Sequence, residues 1–168
     1  MKALTIPQPY ASLLAYGGAH IYTLPWETGY RGPLAIHAAE AFPQDARDAA
    51  IREPLRSALL RAGFRHWIDL PTGAVIAVTM LKACGPCEAL HTERELICGP
   101  VWPGRFAWHL SAPSPLPRPI AAHDAIGLWE WAVPPELAEL LGDEWGMRLE
   151  VGNSSNPTLA VQHSRLRH

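Results

Sequence analysis

The sequence predicts an α+β fold in which a small β-barrel of about five to six strands carries short flanking helices. Three observations support this prediction. The length of 168 residues suits one domain with a single core. Short apolar runs alternate with clusters of turn-forming residues, a pattern typical of small barrels. Hydrophobic residues make up 48% of the chain and charged residues 18%, so the chain is too apolar to stay disordered.

The strand predictions rest on short β-prone runs bounded by glycine and proline. These runs cover residues 2–6, 19–24, 33–38, 74–81, 106–110 and 126–133. The run at 74–81 is continuously apolar and is therefore predicted to be a central strand. Residues 111–119 contain four prolines, so we expect an extended surface connection there and not a central strand.

Proline and glycine also mark the predicted helices. Pro9 stands at a helix-start position, and Gly17 and Gly18 end the apolar stretch that follows. Residues 42–63 show a helical pattern with Pro43 and Pro54 as two openings. Four arginines of this region are expected on its solvated outer face and receive no functional role: Arg52, Arg56, Arg61 and Arg65.

We expect three segments along the chain. Residues 1–132 form the main domain, and residues 133–150 form an appended helix. Residues 151–168 form a loosely ordered tail, because the chain becomes polar beyond Gly142.

Charge and hydropathy narrow the classes of function. No apolar run approaches the roughly 20 residues that span a bilayer, and no leader follows Met1 and Lys2, so we expect a cytoplasmic protein without membrane partners. The formal net charge is −2. Proteins that bind the phosphate backbone non-specifically carry a large excess of basic residues. Any affinity of this chain for nucleic acid must therefore come from a small part of its surface.

Several motifs together resemble the ASCH domain family. They are Thr5-Ile6-Pro7-Gln8-Pro9-Tyr10-Ala11, Gly17-Gly18, Trp26, Tyr30-Arg31-Gly32-Pro33-Leu34, Ile36-His37-Ala38, Pro71-Thr72-Gly73-Ala74-Val75-Ile76, Phe106-Ala107-Trp108 and Gly127-Leu128-Trp129. The resemblance extends over residues 2–132. It implies a PUA-like barrel, an association with RNA, and a cleft whose rim carries Gln8, Pro9, Tyr10, Tyr30, Arg31 and Gly32.

The chemistry of these residues suits one nucleotide. A helix start offers free N–H groups to an anion, and the guanidinium of Arg31 is a planar fork for phosphate. Tyr10, Trp26 and Tyr30 offer faces on which a base can stack. His37 is interpreted as a hydrogen-bonded core histidine before a catalytic one, and it is kept as a candidate for the cleft.

The resemblance also implies a catalytic set that this chain lacks. Family members that hydrolyse N4-acetylcytidine use a lysine just after the glycine, a threonine three residues later and a glutamate on the central strand, whereas the four residues that follow Gly18 are Ala19, His20, Ile21 and Tyr22. We therefore expect a domain that binds RNA or a modified nucleoside without turnover. A second hypothesis is a ribonuclease or an N4-acetylcytidine-type amidohydrolase in which His20 and Tyr22 form a substitute acid–base pair.

The cysteines support a third hypothesis, a zinc- or thiol-dependent interaction module. Cys84, Cys87, His91 and Cys98 stand at spacings that a structural zinc site tolerates, which makes zinc the one cofactor that the sequence suggests. A reversible disulfide between Cys84 and Cys87 is a weaker alternative, and unlinked thiols are the simplest interpretation.

Overall fold

The computed structural model describes residues 1–90, 96–111 and 113–145, with the backbone alone at 143–145. It is an α+β protein with one mixed sheet of eight strands. The strands are β1 (Lys2–Ile6), β2 (Ile21–Leu24), β3 (Gly32–Ala38), β4 (Ala74–Pro86), β5 (Ile97–Cys98), β6 (Phe106–Leu110), β7 (Ser114–Ala121) and β8 (Leu128–Glu130). The helices are α1 (Tyr10–Tyr16), α2 (Gln44–Ala50), α3 (Leu55–Arg61) and α4 (Pro135–Trp145), with short 3-10 turns at Trp67–Asp69 and Cys87–Ala89.

The strands follow the order β5-β2-β6-β4-β3-β1-β8, and β7 pairs with β4 beside this path. The pairs β1/β3 and β2/β5 are parallel, and the other pairs are antiparallel. The α+β prediction is confirmed. Within the described part of the chain, β5 and β8 end the path without pairing with each other, so the sheet is not closed into a barrel. The sequence also predicted too few strands, because β5 and β7 gave no β-like pattern.

β4 is the centre of the sheet. One of its edges pairs with β3, while the other pairs with β7 from Ala74 to Val78 and with β6 from Leu81 to Pro86. Register shifts accompany the change of partner. The predicted strand ended at Leu81, but β6 supplies partners for four more residues, from Ala83 to Pro86, beyond a register shift at Lys82. The strand therefore continues through Gly85 and Pro86 despite their weak β-propensity.

The proline-rich segment is a strand and not a plain surface connection. β7 pairs with a single strand, β4, among the described residues. An edge strand tolerates proline because one of its two edges carries no hydrogen-bond ladder. The expectation that this segment is not a central strand is confirmed.

The helices begin and end near the proline and glycine residues from which their bounds were predicted. α2 follows Pro43 and α3 follows Pro54, which confirms both openings. Gly63 adopts a φ of +95°, and its N–H donates to the Leu60 carbonyl at 3.1 Å, closing the end of α3. The four arginines predicted for the outer face are exposed.

The chain divides into two compact units. The first, Met1–Trp131, contains all eight strands and the helices α1 to α3. The second begins at Ala132, and its described part contains α4, in which Leu137 and Leu141 are buried. Residues 146–150 of the predicted helix and the predicted tail at 151–168 lie outside the described residues. None of the described helices is long and apolar enough to cross a bilayer.

A buried hydrogen-bond network around His37 joins β1, β3 and β8. The hydroxyl oxygen of Thr5 accepts the indole N–H of Trp129 at 3.2 Å and the N–H of Ala125 at 3.4 Å. With both lone pairs used, this hydroxyl donates to His37 Nδ1 at 3.1 Å. The proton of the fully buried imidazole therefore sits on Nε2, which donates to the Ala122 carbonyl at 2.9 Å. His37 is thus a hydrogen-bonded core residue.

Replacing Thr5 with valine is expected to destabilise the protein. The change keeps the shape of the side chain but leaves His37 Nδ1 and the Trp129 indole without their partner. Unsatisfied buried groups cost about 1–3 kcal/mol. Urea unfolding should show a loss of this size for T5V and almost none for T72V, because Thr72 is exposed. Equal stabilities of the two variants would contradict the assignment of this network.

Candidate functional site

Four aromatic residues form a row across β2 and β6, which we call the aromatic row. Tyr22 on β2 is the register partner of Trp108 on β6, so the two side chains share one face of the sheet. The Tyr10 ring lies 6.4 Å from that of Tyr22, and the Trp26 ring lies 4.7 Å edge-on from that of Trp108. Tyr22 and Trp108 are buried, whereas Tyr10 and Trp26 are half-buried. The row therefore keeps two partly accessible ends.

Trp26 is held in place by the loop at residues 25–31. Its carbonyl accepts the indole N–H of Trp108 at 3.3 Å. Arg31 Nη1 donates to the carbonyls of Thr28 and Tyr30 at 2.9 and 2.7 Å, which ties the loop together beyond Trp26. Arg31 itself is exposed, and its Nε and Nη2 make no hydrogen bond to any described residue.

Tyr30 and Gly32 form the base of this loop. The Tyr30 hydroxyl donates to the Pro33 carbonyl and is not free for a ligand. Gly32 has a φ of +139°, and a Cβ at this position would stand 3.0 Å from the Tyr30 oxygen. Burial, with Glu130 as a smaller contribution, raises the pKa of Tyr30. Both residues therefore shape the loop.

Gln8 is committed to the interior. Its Nε2 donates to Ser12 Oγ at 2.9 Å and to the Pro71 carbonyl at 2.6 Å, and its Oε1 accepts the Ser12 N–H at 3.1 Å. The N–H of Ala11 donates to the Pro7 carbonyl. These bonds use N–H groups that the sequence predicted to be free for an anion, so the start of α1 is self-capped. Pro9, also buried, precedes α1 directly.

The structure separates two segments that the sequence placed on one rim. The segment with Gln8 follows the carboxyl end of β1, whereas Gly32 begins β3. Because β1 and β3 are parallel from Lys2↔Leu34 to Ile6↔Ala38, the segments leave this strand pair at opposite ends. The ends are about 13 Å apart along the strands. Tyr10 is brought to Tyr22, and Arg31 is not part of the aromatic row.

His20 directly precedes β2, and Tyr22 is the second residue of that strand. His20 Nδ1 is buried without a hydrogen-bond partner, and no hydrogen bond joins the two side chains. Burial raises the pKa of Tyr22 to about 12, with a further rise from Cys98 and a smaller opposing effect of Arg105. Tyr22 is therefore a neutral hydrogen-bond donor and a poor base near neutral pH.

Arg105, which the sequence analysis did not single out, borders the same two strands. Its Nη2 donates to the Thr23 carbonyl at 2.8 Å, and its guanidinium lies 5.6 Å from the centre of the Trp102 ring. The Nε atom is buried without a partner in the described part of the chain. Trp102 is 58% exposed. An arginine near an exposed tryptophan in the proline-glycine segment at 99–105 was the available signal.

The cysteines do not assemble a zinc site. Cys98, Tyr22, Trp108 and Cys84 are successive register partners on β5, β2, β6 and β4, so Cys84 and Cys98 are about 14 Å apart. Cys87 packs with Ile21 and Ala107, the neighbours of Tyr22 and Trp108, and so lies on the opposite face.

All three cysteines are free, so no disulfide joins Cys84 and Cys87 in this structure. No three histidine, cysteine or acidic side chains within the described residues could hold a metal ion. The fourth predicted ligand, His91, lies outside those residues.

No protein-family model and no curated protein matches the sequence of this chain. The ASCH resemblance therefore rests on the motifs alone and stays a prediction.

The buried thiol of Cys98 makes the free energy of unfolding depend on pH in the alkaline range. Burial raises the pKa of this thiol from 9.0 to about 12. Below pH 9 the thiol is protonated in the folded and in the unfolded protein, and its contribution to the free energy of unfolding is fully present. As the pH rises toward 12 this contribution is lost, because the thiol of the unfolded protein ionises first.

We expect the free energy of unfolding to fall with pH above 9 less steeply in C98A than in the parent, by up to about 1.4 kcal/mol per pH unit. Urea unfolding between pH 8 and 11 measures this slope. Identical slopes for C98A and the parent would refute the role of Cys98.

Proposed function

We propose that residues 1–132 form an ASCH-type, PUA-like domain that binds single-stranded RNA or a modified nucleoside in the cytoplasm without turning it over. The bound base would stack on the accessible ends of the aromatic row, at Tyr10 and Trp26. The observation that carries this proposal is the row itself, with its two half-buried aromatic ends.

Stacking supplies affinity that does not depend on net charge. A base on an aromatic side chain contributes about 1–3 kcal/mol and tolerates any base, because every base has a π-face. The protein has a formal charge of −2, so a broad phosphate-binding surface is not expected. Binding should therefore depend only weakly on salt.

Two buried nitrogens support a polar ligand. His20 Nδ1 and Arg105 Nε lack hydrogen-bond partners, although most buried polar atoms in native proteins have one. Both residues border β2, which also carries Tyr22. Both atoms are fully buried, so a base edge or a ribose hydroxyl would satisfy them only after the side chains turn toward it.

The remaining predicted rim residues receive positioning roles. Gln8 and Pro9 fix the start of α1 and hence Tyr10, while Tyr30 and Gly32 shape the loop that carries Trp26. The exposed Nη2 and Nε of Arg31 would contact a phosphate at a distance from the base. His37 supports the sheet from inside the core and contacts no ligand in this account.

A ribonuclease is the second candidate function. It is favoured by the unpartnered Nδ1 of His20, which could accept the proton of a ribose 2′-hydroxyl. Tyr22, neutral near pH 7, would serve as a hydrogen-bond donor to the developing charge. An N4-acetylcytidine-type amidohydrolase receives less support, because a tyrosine with a pKa of about 12 is a weak nucleophile.

RNA binding should depend on Tyr10 at the start of α1 and not on Tyr16 at its end. We expect Y10A to weaken the binding of a single-stranded oligoribonucleotide by about 1–3 kcal/mol, because a stacking face is lost. Y16A is the matched control: Tyr16 is also half-buried on α1 but contacts Phe64. Fluorescence anisotropy measures both affinities. Equal losses in Y10A and Y16A, or none in either, would remove the aromatic row as the site.

The binding and catalytic functions are separated by mass analysis of products. We expect the parent to leave single-stranded RNA and N4-acetylcytidine intact over hours while it binds RNA. Cleavage that H20A abolishes and Y22F reduces would instead establish the ribonuclease. Cleavage that persists unchanged in H20A would indicate a contaminating nuclease.

A further inference from the structure

A pocket of about 190 Å³ lies between the end of α2, the helix α3 and the 3-10 turn at Trp67–Asp69. Its walls are apolar and include Leu59, Phe64 and Trp67. Its rim is cationic or titratable, with Arg56, Arg65 and His66. These six residues define what we call the helical pocket.

The aromatic walls of the helical pocket are fixed by residues around it. The Arg47 guanidinium lies 4.6 Å from the centre of the Trp67 ring, and its Nε donates to the Phe42 carbonyl at 2.7 Å. The Phe42 ring meets Trp67 at 87°, and the Tyr16 ring meets Phe64 at a centroid distance of 5.4 Å. A rigid wall binds a ligand with little loss of side-chain entropy.

The charge around the pocket is opposite to that of the whole chain. Residues 51–69 contain four arginines and two carboxylates, those of Glu53 and Asp69, although the chain has a formal charge of −2. Glu53 accepts the N–H of Ser57 at 3.2 Å, and hydrogen bonding to Ser57, with smaller effects of Arg56 and Arg61, lowers the pKa of this carboxyl. The guanidinium groups of Arg56 and Arg65 make no hydrogen bond and no ion pair within 4 Å with a described residue, so both can also meet an anion.

We propose that the helical pocket binds a small organic anion that combines one ring-sized apolar group with one phosphate or carboxylate. The volume suits a single ring, since an apolar cavity of about 150 Å³ accepts benzene. The arginines suit the anionic group, because guanidinium binds phosphate and carboxylate through paired hydrogen bonds. The helical pocket contains no residue of the aromatic row, so its ligand binding does not depend on the proposed RNA binding.

The two halves of the ligand can be tested separately by isothermal titration calorimetry on the full chain. Phenyl phosphate and benzoate carry both the ring and the anion, whereas inorganic phosphate and benzyl alcohol carry one each. We expect at least one of the first two to bind more tightly than both half-ligands. The stronger of the two identifies the anion. The proposal would be overturned if neither ring-bearing anion bound more tightly than the half-ligands, or if neither bound at all.

Substitutions then place the binding in the helical pocket. R56Q and R65Q should each lower the affinity for the ring-bearing anion about tenfold, which corresponds to the loss of one charge-assisted hydrogen bond. R61Q is the control, because Arg61 is an exposed arginine of α3 that does not line the pocket. Thermal unfolding confirms that the variants fold. Affinities of R56Q and R65Q that match R61Q would refute the site, whatever the outcome of the RNA experiments.

Discussion

The burial of Trp108 is the constraint on which the fold and the candidate site both depend. Its side chain has no exposed surface and lies between Tyr22 and Cys84 in the register of the sheet. A buried indole N–H needs an acceptor, and the carbonyl of Trp26 provides it. The strand pairing, the core and the loop at residues 25–31 are therefore fixed by one side chain.

The same constraint explains why the accessible aromatic groups occur in pairs. Each half-buried ring, Tyr10 or Trp26, rests against a buried one, so its exposed part is presented by a rigid support. Stacking on such a ring costs little ordering entropy. Arg105 and His20 also border β2, each with one buried nitrogen that lacks a partner among the described residues.

Local sequence patterns predicted the elements better than their assembly. Apolar periodicity with Pro43, Pro54 and Gly63 located two helices, because these residues act on the backbone nearby. The continuation of β4 and the strand in the proline-rich segment depend on partners distant in sequence, which no local pattern contains. The grouping of Gln8 with Arg31 on one rim gains no support from the strand order, since parallel pairing places their segments at opposite ends of β1 and β3. Spacing alone suggested a zinc site, whereas strand order separates the thiols.

The central claim is that a base contacts the aromatic row at Tyr10 and Trp26. The most direct measurement is a solution NMR titration of isotopically labelled protein with a short single-stranded oligoribonucleotide. The account predicts intermolecular nuclear Overhauser effects between base protons and the rings of Tyr10 and Trp26, with the Trp67 signals unchanged. Contacts confined to other surfaces, or no change at millimolar oligonucleotide, would contradict it.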